Sequence, residues 1–341
     1  MPTDLKQLSA RLGLSATTVS RALNGYDDVS AKTRERVEQM ARELGYQPNR
    51  TARRLARGRA DAVGLVYPLD AGDLGDPRFL EVIEGLSDRL EADDMDLLLA
   101  SARERTELRT YQRLISGGRV DGVIVARTRV VDERIDYLQR VGVPLVAYGR
   151  TAQPDGFAWF DFDNEAGMVL AVQQMVALGH RRIGYLHAPL SLCFAAQRQA
   201  GFQRAMQAAG LAVDPALVVE GGLSHRTGHA AAQRLLAGPT RPSALIVDNN
   251  LCGMGAVRAL LDAGVAIGRE LSVIVYDGVP DDVLRAGMRI AAIGQPTAYR
   301  AGETMAEMLL ALMRGEPLPD RHRLLQPVFE PGNSIGPPAA G

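Results

Sequence analysis

The chain has 341 residues, 46% hydrophobic and 23% charged, with a formal net charge of −1. That length exceeds one ordinary core and suits one small and two medium lobes. No apolar run approaches membrane-spanning length and the first residues run straight into a polar helix, so a cytoplasmic protein without a leader is expected. The near-neutral total hides an asymmetry: residues 1–60 hold 12 Lys+Arg against 6 Asp+Glu (+6), and the remainder 27 against 34 (−7). Positive charge gathered at one end suits a polyanionic partner.

In chain order, Asp4 to Gly25 reads as two short amphipathic helices, broken by Gly13 and restarted by Ser15, a good N-cap side chain. Leu5, Leu8 and Leu12 share a face of the first helix, and Val19 and Leu23 a face of the second. The outward face of the second offers Ala16, Thr17, Ser20 and Arg21. Small residues let a helix sink into the major groove, and an arginine can read guanine through O6 and N7. A third helix over Ala31 to Leu44 would pack Val37, Met40, Ala41 and Leu44 beneath them. A generic three-helix subdomain has the same spacing, so the next segment decides between the two.

Gly45 to Gly58 carries four arginines and Leu55 in a short helical stretch bounded by Pro48 and Gly58. So short a helix is marginal alone, and its basic face repels itself until phosphates neutralise it. Here the sequence resembles the lac/gal repressor family of bacterial transcription regulators. The carrying runs are Leu14-Ser15-Ala16-Thr17-Thr18-Val19-Ser20-Arg21-Ala22-Leu23-Asn24, Ala41-Arg42-Glu43-Leu44-Gly45-Tyr46-Gln47-Pro48-Asn49 and Ala52-Arg53-Arg54-Leu55, and similarity continues to about residue 330. The resemblance implies a homodimer on a palindromic double-stranded operator. Its DNA-facing set is Ser15, Ala16, Thr17, Thr18, Ser20, Arg21 and Asn24 on the head, then Asn49, Ala52, Arg53 and Leu55 on a hinge helix. Ala16 and Thr17 would set operator preference, and Leu55 from each subunit would wedge into the minor groove, unstacking bases in exchange for contacts that the bend permits.

From Ala62 onward strand-like and helix-like segments alternate, the mark of parallel βα units. One series runs from Val63 to Tyr148 and a second from Asn164 to Ala263, which implies two doubly wound lobes. The expected organisation is a helix-turn-helix head over 1–47, a hinge over 48–60, a two-lobe α/β effector and dimerisation region over 61–330, and a disordered tail over 331–341. Periplasmic binding proteins have the two-lobe architecture that the resemblance implies. Ligands bind outside the carboxyl ends of such strands, so the cleft between the lobes is the expected small-molecule site.

Several residues are candidates for that cleft. Arg198, in an R-x-x-G-F context, resembles the family's ligand-gripping arginine, whose fork can hold adjacent hydroxyls or a carboxylate; a surface arginine paired with a carboxylate is the alternative. Asp277 ends a strand and resembles the family's hydroxyl-accepting aspartate, although Val275 and Gly278 depart from the usual flanking residues; a strand-end cap is its alternative. Asn249 and Asn250 stand at a strand-to-helix turn and could bind hydroxyls or cap the helix. Phe79 matches an aromatic that lines the first lobe, with Arg78 a departure beside it. Trp159 is a second stacking candidate or an interlobe packing residue. Arg150 follows a glycine where the family has aspartate, which Asp161 or Asp163 could replace.

Other constellations do not rise. Cys193 and Cys252 read as free thiols in a reducing compartment. His225 and His229 lack a third ligand, Gly253-Met254-Gly255-Ala256 falls short of a dinucleotide fingerprint, and no nucleophile elbow is present, so neither metal nor cofactor is expected. A solute-binding protein has no use for the basic head, and an enzyme needs an acid–base pair, metal site or phosphate loop. The expected function is a sugar-released repressor of carbohydrate-utilisation genes. The alternative is a co-repressor type answering to a nucleobase or sugar phosphate, anchored by Arg78 or Arg150.

Overall fold

Helices α1 (Leu5–Leu12), α2 (Ala16–Leu23) and α3 (Ala31–Glu43) belong to the first of two units, into which the chain divides between Asp61 and Ala62. This computed structural model describes residues 4–23, 26–46, 58–67, 76–280, 284, 286–295 and 297–339. Asp4 and Gln7 form a reciprocal capping box at the start of α1, and Gly13, at φ 66°, ends it. Ser15 Oγ accepts from Thr18 N (3.0 Å) at the start of α2 and meets Thr18 Oγ1 at 2.8 Å. Leu8, Leu12, Val19, Ala22, Val29, Val37 and Ala41 form the buried core, and Leu5, Leu23, Met40 and Leu44 pack half-buried around it. The helices and the turn between the first two agree with the sequence periodicity.

The second unit holds two six-stranded sheets. In the first lobe, β1 (Ala62–Tyr67), α4 (Pro77–Glu91), β2 (Asp96–Ser101), α5 (Glu107–Ser116), β3 (Gly122–Val125), α6 (Glu133–Val141), β4 (Leu145–Tyr148) and β5 (Ala158–Phe162) follow one another. The second lobe continues with α7 (Asn164–Ala177), β6 (Ile183–His187), α8 (Cys193–Ala208), β7 (Val218–Glu220), α9 (His225–Ala237), β8 (Ala244–Val247), α10 (Asn250–Asp262), β9 (Ser272–Tyr276) and β10 (Ala291–Gly294). The chain then returns. Helix α11 (Ala298–Arg314) packs on α4, β11 (His322–Leu325) pairs with β5, and β12 (Val328–Glu330) closes the second sheet. The sheet orders are β11-β5-β4-β3-β1-β2 and β12-β10-β9-β8-β6-β7, parallel except for β12 on β10. Central strands such as β1, β3, β8 and β9 are buried along their whole length, as continuous apolar runs flanked by helices require.

Helix α4, which brings Arg78 and Phe79 to the carboxyl end of β1, is seated by backbone contact with α11. A Cβ at Gly85 would stand 2.0 Å from Tyr299 O, so only glycine permits that approach.

The tail corrects an expectation. Residues 332–339 are not a disordered extension but dock on the second lobe. Ser334, fully buried, donates through Oγ to Val273 O (2.7 Å) and accepts from Ala291 N (2.8 Å). Gly336 O accepts from Ser272 Oγ (2.9 Å) and lies 2.8 Å from His180 Nε2. The Pro- and Gly-rich composition suggested disorder, but such a segment is ordered once its polar groups find partners along a strand.

Candidate functional site: an interlobe cleft and a helix face

The cleft opens between the carboxyl ends of both sets of parallel strands. From the first lobe come Tyr67 at the end of β1, Asp76, Arg78 and Phe79 at the start of α4, Arg127 and Thr128 after β3, Tyr148 and Gly149 at β4, and Asp161 and Phe162 at β5. From the second come Asn164, Phe194 and Arg198 on α7 and α8, then Asn249, Asn250 and Asp277. Together they enclose a cavity of about 180 Å³.

Arg198 is buried, not a surface arginine paired with a carboxylate. Its Nε donates to Asn164 Oδ1 (2.9 Å) and its Nη1 to the carbonyl of Asp248, while the guanidinium lies 3.4 Å from the Tyr276 ring centroid. Two fixed donations and an aromatic bed leave little freedom, so the fork is held in place before any ligand arrives.

Asp277 sits at φ 65°, a left-handed conformation that aspartate tolerates better than most residues. Among the described residues its carboxylate has no hydrogen-bond or ion-pair partner. Burial pushes its carboxyl above the usual carboxylate range, opposed by the Arg198 and Arg78 guanidiniums. It is an acceptor in search of donors.

Asn249 is the N-cap of α10, its Oδ1 accepting from Cys252 N (2.8 Å), and Asn250 reaches across the cleft to Asp76 Oδ1 (2.7 Å). Capping therefore falls to Asn249, while Asn250 is engaged with a first-lobe carboxylate. Phe79 stacks on Tyr67 with ring centroids 4.0 Å apart, and Arg127 lies 4.4 Å from the Tyr67 ring centroid. Arg78 donates to Gln295 O (3.1 Å) in the connector leaving the second sheet.

Two candidates fall outside. Trp159 is buried in the first-lobe core, stacked 4.9 Å from His322, two residues before Asp161, where β5 first meets the cleft. It is neither a stacking platform for ligand nor an interlobe residue. Arg150 is absent from the cleft lining; its Nε donates to Asp161 Oδ2 (2.8 Å). Asp161 itself lines the cleft, its carboxyl raised by burial and drawn back by Arg150, whereas Asp163 caps α7 through Ala166 N.

Cleft residues the sequence reading did not single out include Asp76, Arg127, Tyr148 and Asn164. Asp76 carried a usable signal, since aspartate before proline marks a helix start. Unread as well was a buried ionic cluster behind the cleft: Arg134 donates to Asp132 Oδ2 (2.6 Å), Glu107 Oε2 (2.8 Å) and Arg127 O (2.9 Å). It shapes the loop in which Val130 N donates to Ser191 O (3.0 Å) and Thr128 O accepts from Cys193 N (2.9 Å), a second junction between the lobes.

On the head, Ser15, Ala16 and Thr17 are exposed at the start of α2, with Thr18, Ser20 and Arg21 half-exposed beside them. Arg21 is held by Asp28, at 3.0 Å from Nε and 2.7 Å from Nη2, and lies 4.8 Å from the Tyr26 ring centroid. The side chain expected to read a base edge is thus held away from free rotation. Asn24, Asn49, Ala52, Arg53 and Leu55 lie outside the described residues.

A small helix-turn-helix head joined to a two-lobe, cleft-bearing α/β unit defines a ligand-responsive transcription regulator. Residues 5–49 match the model for bacterial regulatory proteins of the lacI family, and residues 60–323 that for periplasmic binding proteins and the sugar binding domain of the LacI family. The chain belongs to the LacI family. It is 39% identical over 336 residues to the HTH-type transcriptional regulator RafR of Escherichia coli, covering 98% of this chain and 99% of that protein. Among solved structures, the transcriptional regulator CelR–cellobiose complex is 29% identical with a TM-score of 0.73, covering 97% of this chain and 99% of that one. The lac repressor dimer bound to operator and the anti-inducer ONPF is 26% identical with a TM-score of 0.81, covering 98% and 100%. No described helix is long and apolar enough to cross a membrane.

Proposed function

We propose that this regulator works in the cytoplasm as a homodimer on a palindromic operator, is not an enzyme, and releases carbohydrate-utilisation genes when a neutral sugar enters the cleft. The observation that carries the reading is the balance of charge in the cleft: Arg78, Arg127 and Arg198 face Asp76, Asp161 and Asp277. Arg78 and Arg198 already donate to protein acceptors, and Asp277 offers an acceptor to hydroxyls. Phe79 supplies an aromatic surface for a sugar's apolar face. A phosphorylated sugar or a nucleobase is less well served, because Arg78 is engaged with Gln295 O and Arg150 is turned to Asp161. The solved complex of the CelR relative with cellobiose supports a sugar as effector.

In this reading Arg198, Asp277, Phe79, Asn249, Asn250 and Arg78 form the effector site. Sugar favours one relative position of the lobes, and operator affinity follows by no more than its differential affinity for the two positions. Ser15, Ala16, Thr17, Thr18, Ser20, Arg21 and Asn24, with Asn49, Ala52, Arg53 and Leu55 of the hinge, meet the operator.

The test is a thermal-shift screen against neutral sugars, sugar phosphates and nucleobases, with operator binding measured for each hit. A neutral sugar should stabilise the protein by roughly 3 kcal/mol at a hundred times its dissociation constant and lower operator affinity. Stabilisation confined to phosphates or bases would overturn the sugar reading, and a sugar that tightens operator binding would reverse the sign of control.

A further inference from the structure

Beyond the cavity between Phe79 and Arg198 lies a second, outer chamber. Arg78, Asn250 and Asp277 line both, so the two share one partition. The inner volume is about 180 Å³ and the outer about 380 Å³. The inner chamber alone falls below the roughly 300 Å³ at which sites for drug-sized ligands begin, and with the outer chamber added the space enters that range. A ligand confined within is about one sugar ring in size; a longer one that extends into the outer chamber passes the partition of Arg78, Asn250 and Asp277.

The outer walls are built for polar, uncharged groups. Glu81 stands on the first-lobe side, and Arg289 and Glu330 on the second. Cations and carboxylates are interspersed, so a polyhydroxyl compound can donate to one and accept from the other, whereas a charged ligand would set one sign against its own. Glu330 is exposed at the rim of this chamber, with its carboxylate set against the sheet. A Cβ at Gly294 would stand 1.9 Å from its Oε1, so its carboxylate lies over the bare backbone of β10. From there its charge acts on Asp277, the unpartnered acceptor at the partition. Val279, Pro280 and Ile290 add apolar surface for a ring face.

We propose that the outer chamber is a second sugar subsite, so that the effector is a neutral oligosaccharide of at least two units, its further ring held by Arg289 and Glu330. This rests on the sugar reading of the inner cleft and adds the length of the ligand and the residues that select it.

The experiment is isothermal titration of the full chain with paired probes: glucose against maltose and cellobiose, galactose against lactose and melibiose. At least one disaccharide should bind about tenfold or more tighter than its monosaccharide, the gain of one or two further hydrogen bonds to charged groups. In Arg289→Ala and Glu330→Ala, exposed positions whose folding is checked by thermal melting, that ratio should fall to about threefold or less. Monosaccharides binding as tightly as disaccharides would overturn the second subsite and leave the sugar reading standing. A ratio unchanged in both variants would also overturn it, because the further ring would then lie elsewhere. No binding by any sugar would remove the sugar reading and this inference with it.

Discussion

Asn250 and Asp76 stand 174 positions apart in sequence, yet Asn250 Nδ2 donates to Asp76 Oδ1 over 2.7 Å. One residue opens a second-lobe helix and the other caps a first-lobe helix, so this hydrogen bond spans the cleft itself. Both of its atoms lie on the wall a ligand would touch. Lobe position and ligand occupancy therefore draw on the same side chains.

Asn250→Ala should loosen the hold of one lobe on the other. A hydrogen bond to a carboxylate in this half-buried setting contributes about 1–2 kcal/mol. The affinity for sugar should fall by about fivefold to thirtyfold, and small-angle scattering of the ligand-free protein should show a larger radius of gyration. Unchanged affinity together with unchanged dimensions would mean that the contact contributes nothing to closure.

Asp277→Asn separates stability from binding. The folded-state carboxyl of Asp277 is raised by burial, so its contribution to stability is present below the unfolded-state value and is lost as pH rises through the folded one. Above the unfolded-state value the raised carboxyl therefore costs stability. Asparagine removes that cost and tolerates the left-handed backbone, so the variant should melt higher at pH 7 and bind sugar at least about tenfold more weakly. The gain in melting temperature should shrink as pH is lowered, since the wild-type carboxyl is then protonated too.

Arg198→Ala should abolish the response to sugar. It leaves Asn164 Oδ1 and the Asp248 carbonyl without their donor, a loss of about 1–3 kcal/mol in thermal or urea unfolding. Lysine keeps the charge but not the fork or the flat face over Tyr276, so Arg198→Lys should not restore binding. A lysine variant with wild-type affinity would show that charge alone suffices.

On the head, Asp28→Asn frees Arg21 from its ion pair. Exposed pairs of this kind contribute about 0–1 kcal/mol, so the fold should be little affected. Fluorescence anisotropy should show nonspecific DNA binding tightened by a few-fold, with a steeper salt dependence, because the released guanidinium can contact phosphate. Operator preference over random DNA should narrow. A wider preference would mean that Asp28 competes with the operator rather than orienting Arg21 for it.

The alternation of strands and helices through β9 was legible because each element carries its own period and its own punctuation. Asn249 even marks the start of α10, two residues ahead of where the apolar pattern begins. The return of the chain was not legible: α11 and β11 belong to the first lobe only through pairing with residues far upstream, which local pattern does not encode. In the cleft, Arg198, Asp277 and Phe79 stood in recognisable contexts. Trp159 misled because strand alternation tells which side a residue faces, not how far along the strand the cleft begins. Arg127 and Tyr148 stand at or just after the carboxyl ends of strands without a local motif, and only the assembled sheet brings them together with Asp76, whose place before Pro77 did mark a helix start.

The return of the chain also governs how this protein can be made. The first lobe begins at Ala62, yet its edge strand β11 ends at Leu325, after nearly all of the second lobe has been synthesised. A ribosome therefore releases every strand from β6 to β10 before the first lobe can close its sheet. Domains that are contiguous in sequence fold from the amino end as they emerge; here an unfinished sheet edge must wait, exposed, for its last strand. Premature termination anywhere between Phe162 and His322 leaves that edge open, and a single proteolytic cut between the lobes releases neither, since the chain passes between them three times.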